Sequence, residues 1–256
     1  MDTTQQTFSP ADTSVRPLLD LLENYEFVDL SHTLTSGIPT IPAHPKFILA
    51  SYPSMGDPAE FNQLIMSDHS GTHMDSPAHF VPDQDDVRRI FTDQIPLDRL
   101  AGRAVKLTFG PFEADSHQID VQDIREWEEA NVTIEQGDIV LLDMQWSSHW
   151  QPIPEGFDYL RGWPGITGEA AAYLREQGVK AVGTDCISVD AGKLAGDELR
   201  AHYDLLPNGV LIMENLTNLE NIPVVSFFLA LPLRIGGGSG SPIRAVALVP
   251  KTTAAA

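Results

Sequence analysis

A single domain of mixed α/β type, with a sheet that is antiparallel in part, is predicted by three features of the sequence. Apolar runs rich in branched residues alternate with stretches of helical spacing through the middle of the chain. The C-terminal third is mostly strand-like runs separated by turns, and neither an internal linker nor a fixed-period repeat divides the 256 residues. A hydrophobic content of 42% suffices for one substantial core.

Taken in order, residues 1–16 (MDTTQQTFSPADTSVR) are polar and without periodicity and are expected to form a mobile arm, as the last residues 252–256 are expected to fray. The domain then runs from 17 to 251. Leu18, Leu19, Leu21 and Leu22 are spaced as on a helix over 17–25, and EFVDLSHTL follows as a strand. Pro39, Pro42 and Pro45 forbid regular structure in SGIPTIPAHPKF, which should be an extended loop. GRAVKLTF (102–109) and DIVLLDMQW (138–146) are predicted central strands. DVQDIREWEEAN (120–131) and TGEAAAYLREQG (167–178) are predicted helices, the second with Thr167 as start signal and Gly178 as stop. GVLIMENL, VVSFFLALPLRI and SPIRAVALVP complete the sheet.

Composition excludes several functions. With 36 acidic against 16 basic residues the formal charge is −20, a surface that repels phosphate backbones and anionic membranes, so neither nucleic acid nor membrane is expected as a partner. One cysteine, Cys186, rules out an internal disulfide framework and, inside an apolar run, reads as a buried thiol. No long apolar segment follows a charged start, and a cytoplasmic protein is expected.

The chemistry concentrates in SDHSGTHMDSPAHF (67–80), which holds three of the chain's 8 histidines. In extended backbone, residues two apart face the same way, so His73 and Asp75 can address one ion, and Gly71 lets the chain bend to bring His69 round to it. Such nitrogen and oxygen donors suit zinc, manganese, cobalt or iron. His202 and Glu214 are the best distant candidates: Glu214 interrupts an apolar strand-like run, where a carboxylate needs a cation or a hydrogen-bond partner.

HSGTHMDSPAHF also resembles the HxGTHxDxPxH signature of the cyclase-like metal-dependent hydrolases, a family that includes bacterial kynurenine formamidases and isatin hydrolases. VDLSHTL, GTDCISVD, AHYDLLPNGVLIMENL and LALPLRIGGGSGSPIRAVAL resemble its other blocks, leaving only the N-terminal arm outside. The resemblance implies a swivelling β/β/α fold assembled into homodimers or homotetramers. It implies His69, His73, Asp75, His202 and Glu214 as metal ligands for one or two ions, zinc or manganese, and His79 as the acid/base. The implied activity is hydrolysis of an amide, lactam, imide or lactone bond in a small, cyclic substrate by metal-activated water. Kynurenine formamidases carry a Trp in the proline-rich loop where this sequence has Ile41, which argues against N-formylkynurenine as the substrate.

MQWSSHWQPIPEGFDYLRGWPG (144–165) is long, rich in Pro and Gly, and expected to form a lid, with His149 and Trp163 as substrate contacts. GGGSG (236–240) lacks the Lys-Ser/Thr end of a phosphate loop and reads as a flexible turn. Three further readings stay open: an aryl formamide hydrolase, a metal-dependent lyase or dehydratase, and a metal-binding protein without catalysis.

Overall fold

The computed structural model describes residues 15–51, 59–192 and 199–251. Most of the predicted arm and the whole of the frayed end lie outside these residues. The first helix, α1 (Arg16–Leu22), leads into β1 (Tyr25–Asp29), and β2 (Ile48–Ser51) and β3 (Asn62–Ile65) form a separate antiparallel ribbon. Then follow β4 (His73–Asp75), β5 (Ala101–Thr108), β6 (Gln118–Ile119), α2 (Val121–Ala130), β7 (Ile139–Asp143), β8 (Gly165–Ile166), α3 (Gly168–Glu176) and β9 (Ala181–Thr184). The chain ends with α4 (Arg200–Leu205), β10 (Leu211–Glu214), β11 (Val225–Pro232) and β12 (Gly240–Pro250).

Eight strands form one sheet in the order β1-β12-β11-β5-β7-β9-β10-β4, and β4 also pairs with the start of β12, so the sheet closes on itself. The β5, β7, β9 and β10 contacts are parallel, joined through helices, and the remaining pairings are antiparallel. The single mixed α/β fold is as predicted.

Strand alternation separates two cores. Along β7, Ile139 and Leu141 face the inside of the closed sheet with Met74, Leu211, Met213 and Phe228, while Val140 and Leu142 face the helices with Ile124, Leu174 and Leu205. Helix starts follow their caps: Asp120 accepts from the amides of Gln122 and Asp123, and Thr167 from Ala170. Gly178 sits at φ +80° just beyond α3, the left-handed stop for which glycine is suited. By contrast α1 buries none of its residues, and Leu18, Leu19 and Leu21 stay exposed. Among the described residues no helix is long and apolar enough to cross a membrane.

Candidate metal centre

β4 puts Met74 into the inner core and turns His73 and Asp75 to the helix-covered side. Its antiparallel register with β10 sets Glu214 directly across from His73. Gly71, at φ +60°, makes the bend before β4, and a Cβ there would run into the Leu34 side chain. After β4, Pro77 opens a short 3-10 turn, Pro77–His79, that carries His79 to the same place. α4 supplies His202 from the other wall.

Four groups meet in the middle. His73, Asp75, His202 and Glu214 are each at most 5% exposed. His73 Nε2 lies 3.4 Å from Asp75 Oδ1 and 3.5 Å from Glu214 Oε2, while His202 Nε2 lies 3.4 Å from both Asp75 Oδ2 and Glu214 Oε1. Each carboxylate thus offers one oxygen to each imidazole. Donors held about 2.0–2.1 Å from a tetrahedral ion stand about 3.3–3.4 Å from one another, so these separations are of the size that would suit a cation. His69 completes the cluster, with Nδ1 2.6 Å from Asp75 Oδ1.

The imidazoles are held from behind. His73 Nδ1 donates to the Gly71 carbonyl at 2.8 Å, an oxygen that also accepts from Asn215 Nδ2 at 2.8 Å. Tyr159 places its hydroxyl 2.8 Å from Asn215 Oδ1. His202 Nδ1 donates to Asp190 Oδ2 at 2.6 Å, and Asp190 also accepts the amides of Ala201 and His202. Both rings therefore turn Nε2 to the centre, the arrangement in which a second partner fixes the ligand tautomer.

Electrostatics favours a cation here. Burial works against charge on Asp75, but hydrogen bonds from His202, His69 and His73 overcome it and hold the carboxyl well below its usual range. Burial would likewise depress His73, yet Asp75 and Glu214 raise it to about 9. Protons on the imidazoles balance the buried carboxylates, and a divalent ion supplies the same positive charge. His79 differs: the residue is still exposed, and partial loss of hydration pushes its pKa down to about 4 against the pull of Asp75, with the neighbouring imidazoles pushing the same way, so it is neutral near pH 7. Its ring stands 4.1 Å from that of His69, and its ligand atom falls within 4.8 Å of those of His69 and Asp75.

These residues open on a cavity of about 400 Å³. Its wall includes Ile41, Pro39, Phe80, Pro82, Ile187 and Leu199, and none of the described lining residues is Lys or Arg. Two predicted substrate contacts need correction. His149 lies on the outside of the Trp146 ring, 4.4 Å between centroids, and does not line the cavity. Trp163 is buried in the core, where Nε1 donates to the Asp190 carbonyl and Gly192 leaves room for its ring; it braces the Asp190 loop rather than touching the cavity. The predicted lid also folds away: Trp146, Tyr159 and Leu160 anchor its segment in the helix-side core. The cavity is walled instead by the proline-rich loop, which contributes His44, a residue the sequence reading passed over although it sits between Ala43 and Pro45 in that loop. Asp190 and Asn215 were missed as well; both lie in motif blocks, but their contacts are with residues distant in sequence.

The family model described as "putative cyclase" matches residues 28–191, most of the chain and the whole histidine loop. The chain belongs to the cyclase family. Among curated relatives of this cyclase-family chain, isatin hydrolase of Roseibium aggregatum is 30% identical over 247 residues, spanning 88% of this chain and 92% of the relative. Kynurenine formamidase of Erythrobacter litoralis is 32% identical over 222 residues, 85% and 91% of the two chains. A crystal structure of an isatin hydrolase bound to the product analogue thioisatinate superposes with a TM-score of 0.82 at 28% identity, covering 95% of this cyclase-family chain and 100% of the other.

Proposed function

We propose that the protein is a metal-dependent hydrolase that opens an amide, lactam, imide or lactone bond in a small, neutral, cyclic molecule. The observation that carries this reading is the crossing of two buried carboxylates with two buried imidazoles at 3.4–3.5 Å, beside a histidine that is neutral near pH 7. Relatives named isatin hydrolase and kynurenine formamidase support the reaction class.

His69, His73, Asp75, His202 and Glu214 would hold the cation. The set of two carboxylates and three imidazoles would suffice for one or two ions, with zinc or manganese suited to these donors. The ion when bound polarises the scissile carbonyl and makes water acidic enough to attack near neutrality. The chain's own part is positional and protonic. Ile41, Phe80 and Ile187 offer apolar walls to a flat neutral ring, and Ile41, where kynurenine formamidases carry a Trp, argues against N-formylkynurenine. His79, free of a proton near pH 7, accepts one at the attacking oxygen and returns it to the leaving nitrogen or oxygen. A nearby cation lowers its proton affinity further, so the base form persists.

We place the enzyme in the cytoplasm, a reading supported by its one buried, unbridged cysteine. We also read it as a homodimer or homotetramer. The β2–β3 ribbon exposes Ile48, Leu49, Leu64 and Ile65 on its two faces, and a ribbon of two strands has little stability unless something covers it.

The test is metal analysis of the purified protein, then a screen with isatin, cyclic imides, lactones and N-formyl anilines in oxygen-18 water. Label in the product acid marks hydrolysis. His79→Ala should keep its metal and lose about 100- to 10,000-fold in kcat, and Asp75→Ala should lose both metal and turnover. Parent-like turnover by His79→Ala would remove the role given to it.

A further inference from the structure

His73 and His202 each have a partner fixing the nitrogen turned away from the centre, and His69 has one as well. His69 Nε2 lies 3.1 Å from Ser239 Oγ, and that hydroxyl lies 2.9 Å from Asp68 Oδ2. Asp68 Oδ2 also accepts the backbone N–H groups of Ser239 and Gly240, each at 3.2 Å. The amides of this glycine-rich turn are therefore occupied by a carboxylate of the same chain, which is why the turn is not an anion cradle.

Proton counting sets the direction of the chain. An ionised carboxylate only accepts, so the single proton of the Ser239 hydroxyl points at Asp68 and a lone pair faces His69. Only a protonated Nε2 can meet that lone pair. Nδ1 is then the nitrogen directed at Asp75, to whose Oδ1 it donates at 2.6 Å, and the proton on Nδ1, not the one on Nε2, is the one a cation would replace, the reverse of His73 and His202.

The turn is itself fastened. Ser76 donates its amide and its hydroxyl to the Ser239 carbonyl at 2.9 and 2.8 Å, and Thr92 donates its amide to Gly238 at 3.0 Å. A Cβ on Gly240 would collide with the His69 ring, so the imidazole packs directly against the turn.

We propose that Asp68 and Ser239 are the positioning residues of His69: a carboxylate–hydroxyl–imidazole chain that keeps Nε2 protonated and presents Nδ1 to the cation beside Asp75. The proposal rests on the metal reading above. It concerns how tightly, and through which nitrogen, the protein holds zinc.

The test uses the full-length protein stripped of metal. Zinc is titrated into the parent, Ser239→Ala, Ser239→Thr and Asp68→Asn in competition with a chromophoric chelator, and thermal midpoints of the metal-free forms are recorded. Ser239→Ala and Asp68→Asn should bind zinc about 10- to 100-fold more weakly, the usual cost of losing a partner behind a ligand, while Ser239→Thr, which keeps the hydroxyl, stays near the parent. Nitrogen-15 spectra of histidine-labelled, zinc-loaded parent should show one ligand histidine bound through Nδ1. That spectrum needs no variant and decides the matter if a substitution prevents folding. Parent-like affinity in both Ser239→Ala and Asp68→Asn, or zinc bound only through Nε2, overturns the positioning role and leaves the metal reading standing. A parent that binds neither zinc nor manganese overturns both.

Discussion

His32 shows how a single residue can carry a pH dependence unrelated to the chemistry. Its ring stacks on Trp150 with centroids 4.0 Å apart and planes 6° from parallel, and its Nε2 is buried without a hydrogen-bond partner. Burial lowers its pKa to about 4, below the 6.5 of the unfolded chain. As pH falls from 6.5 toward 4 the unfolded chain takes up this proton first, so stability drops across that window and is recovered above it. His32→Phe keeps the stacking and removes the titration. Its urea midpoint should fall less between pH 7 and pH 4.5 than the parent's, and equal losses would refute the assignment. The site was legible at this scale because ligand types crowd one loop: spacing alone brought His69, His73, Asp75 and His79 to attention, and the structure gathers all four. What spacing could not show was the support behind them. Ser239, Asn215 and Asp190 reach the histidines from separate loops, through contacts that carry no local pattern.

At the scale of elements, the parallel strands β7 and β9 end side by side, and Asp185, just after β9, ties down the turn leaving β7. Its carboxylate accepts the amides of Met144, Trp146 and Ser147, and burial pushes its pKa up to about 7. Asp185→Ala would leave three largely buried donors without their acceptor and should cost at least roughly 3 kcal/mol, taking about 1–3 kcal/mol for each group stranded from water. Chemical denaturation measures this directly, and a loss under 1 kcal/mol would mean that water enters the turn. The helices and central strands were readable because each carries its own signals, as Thr167 and Gly178 do for α3. β4 was not readable as a strand of the main sheet. Its three residues are too few for alternation to declare itself, and its partners are 141 and 167 positions away in the register pairs Glu214 with His73 and Ser241 with Met74. His149 and Trp163 were misplaced for the opposite reason: aromatic residues among prolines look the same whether they cover a cavity or fill a core.

For the whole molecule, the exposed apolar surface argues for assembly. Phe27 and Phe227 lie in register on either side of Leu248, and both are exposed, as are Leu18, Leu19 and Leu21 of α1 and the apolar residues of the β2–β3 ribbon. A second copy covering these surfaces would remove them from water. Leu49→Asp combined with Ile65→Asp should shift the sedimenting species to a monomer, whereas an unchanged assembly would place the contact elsewhere. The closed sheet has a further consequence, for the timing of synthesis. All five candidate ligands have been made once residue 214 is added, yet the strand that seals β4 into place begins only at Gly240 and runs to Pro250. A nascent chain halted before β12 holds the ligands without the wall that aligns them. Capture of the ion is therefore expected only once β12 has been made, and loss of the chain from Gly240 onward should be read first as failure to retain metal.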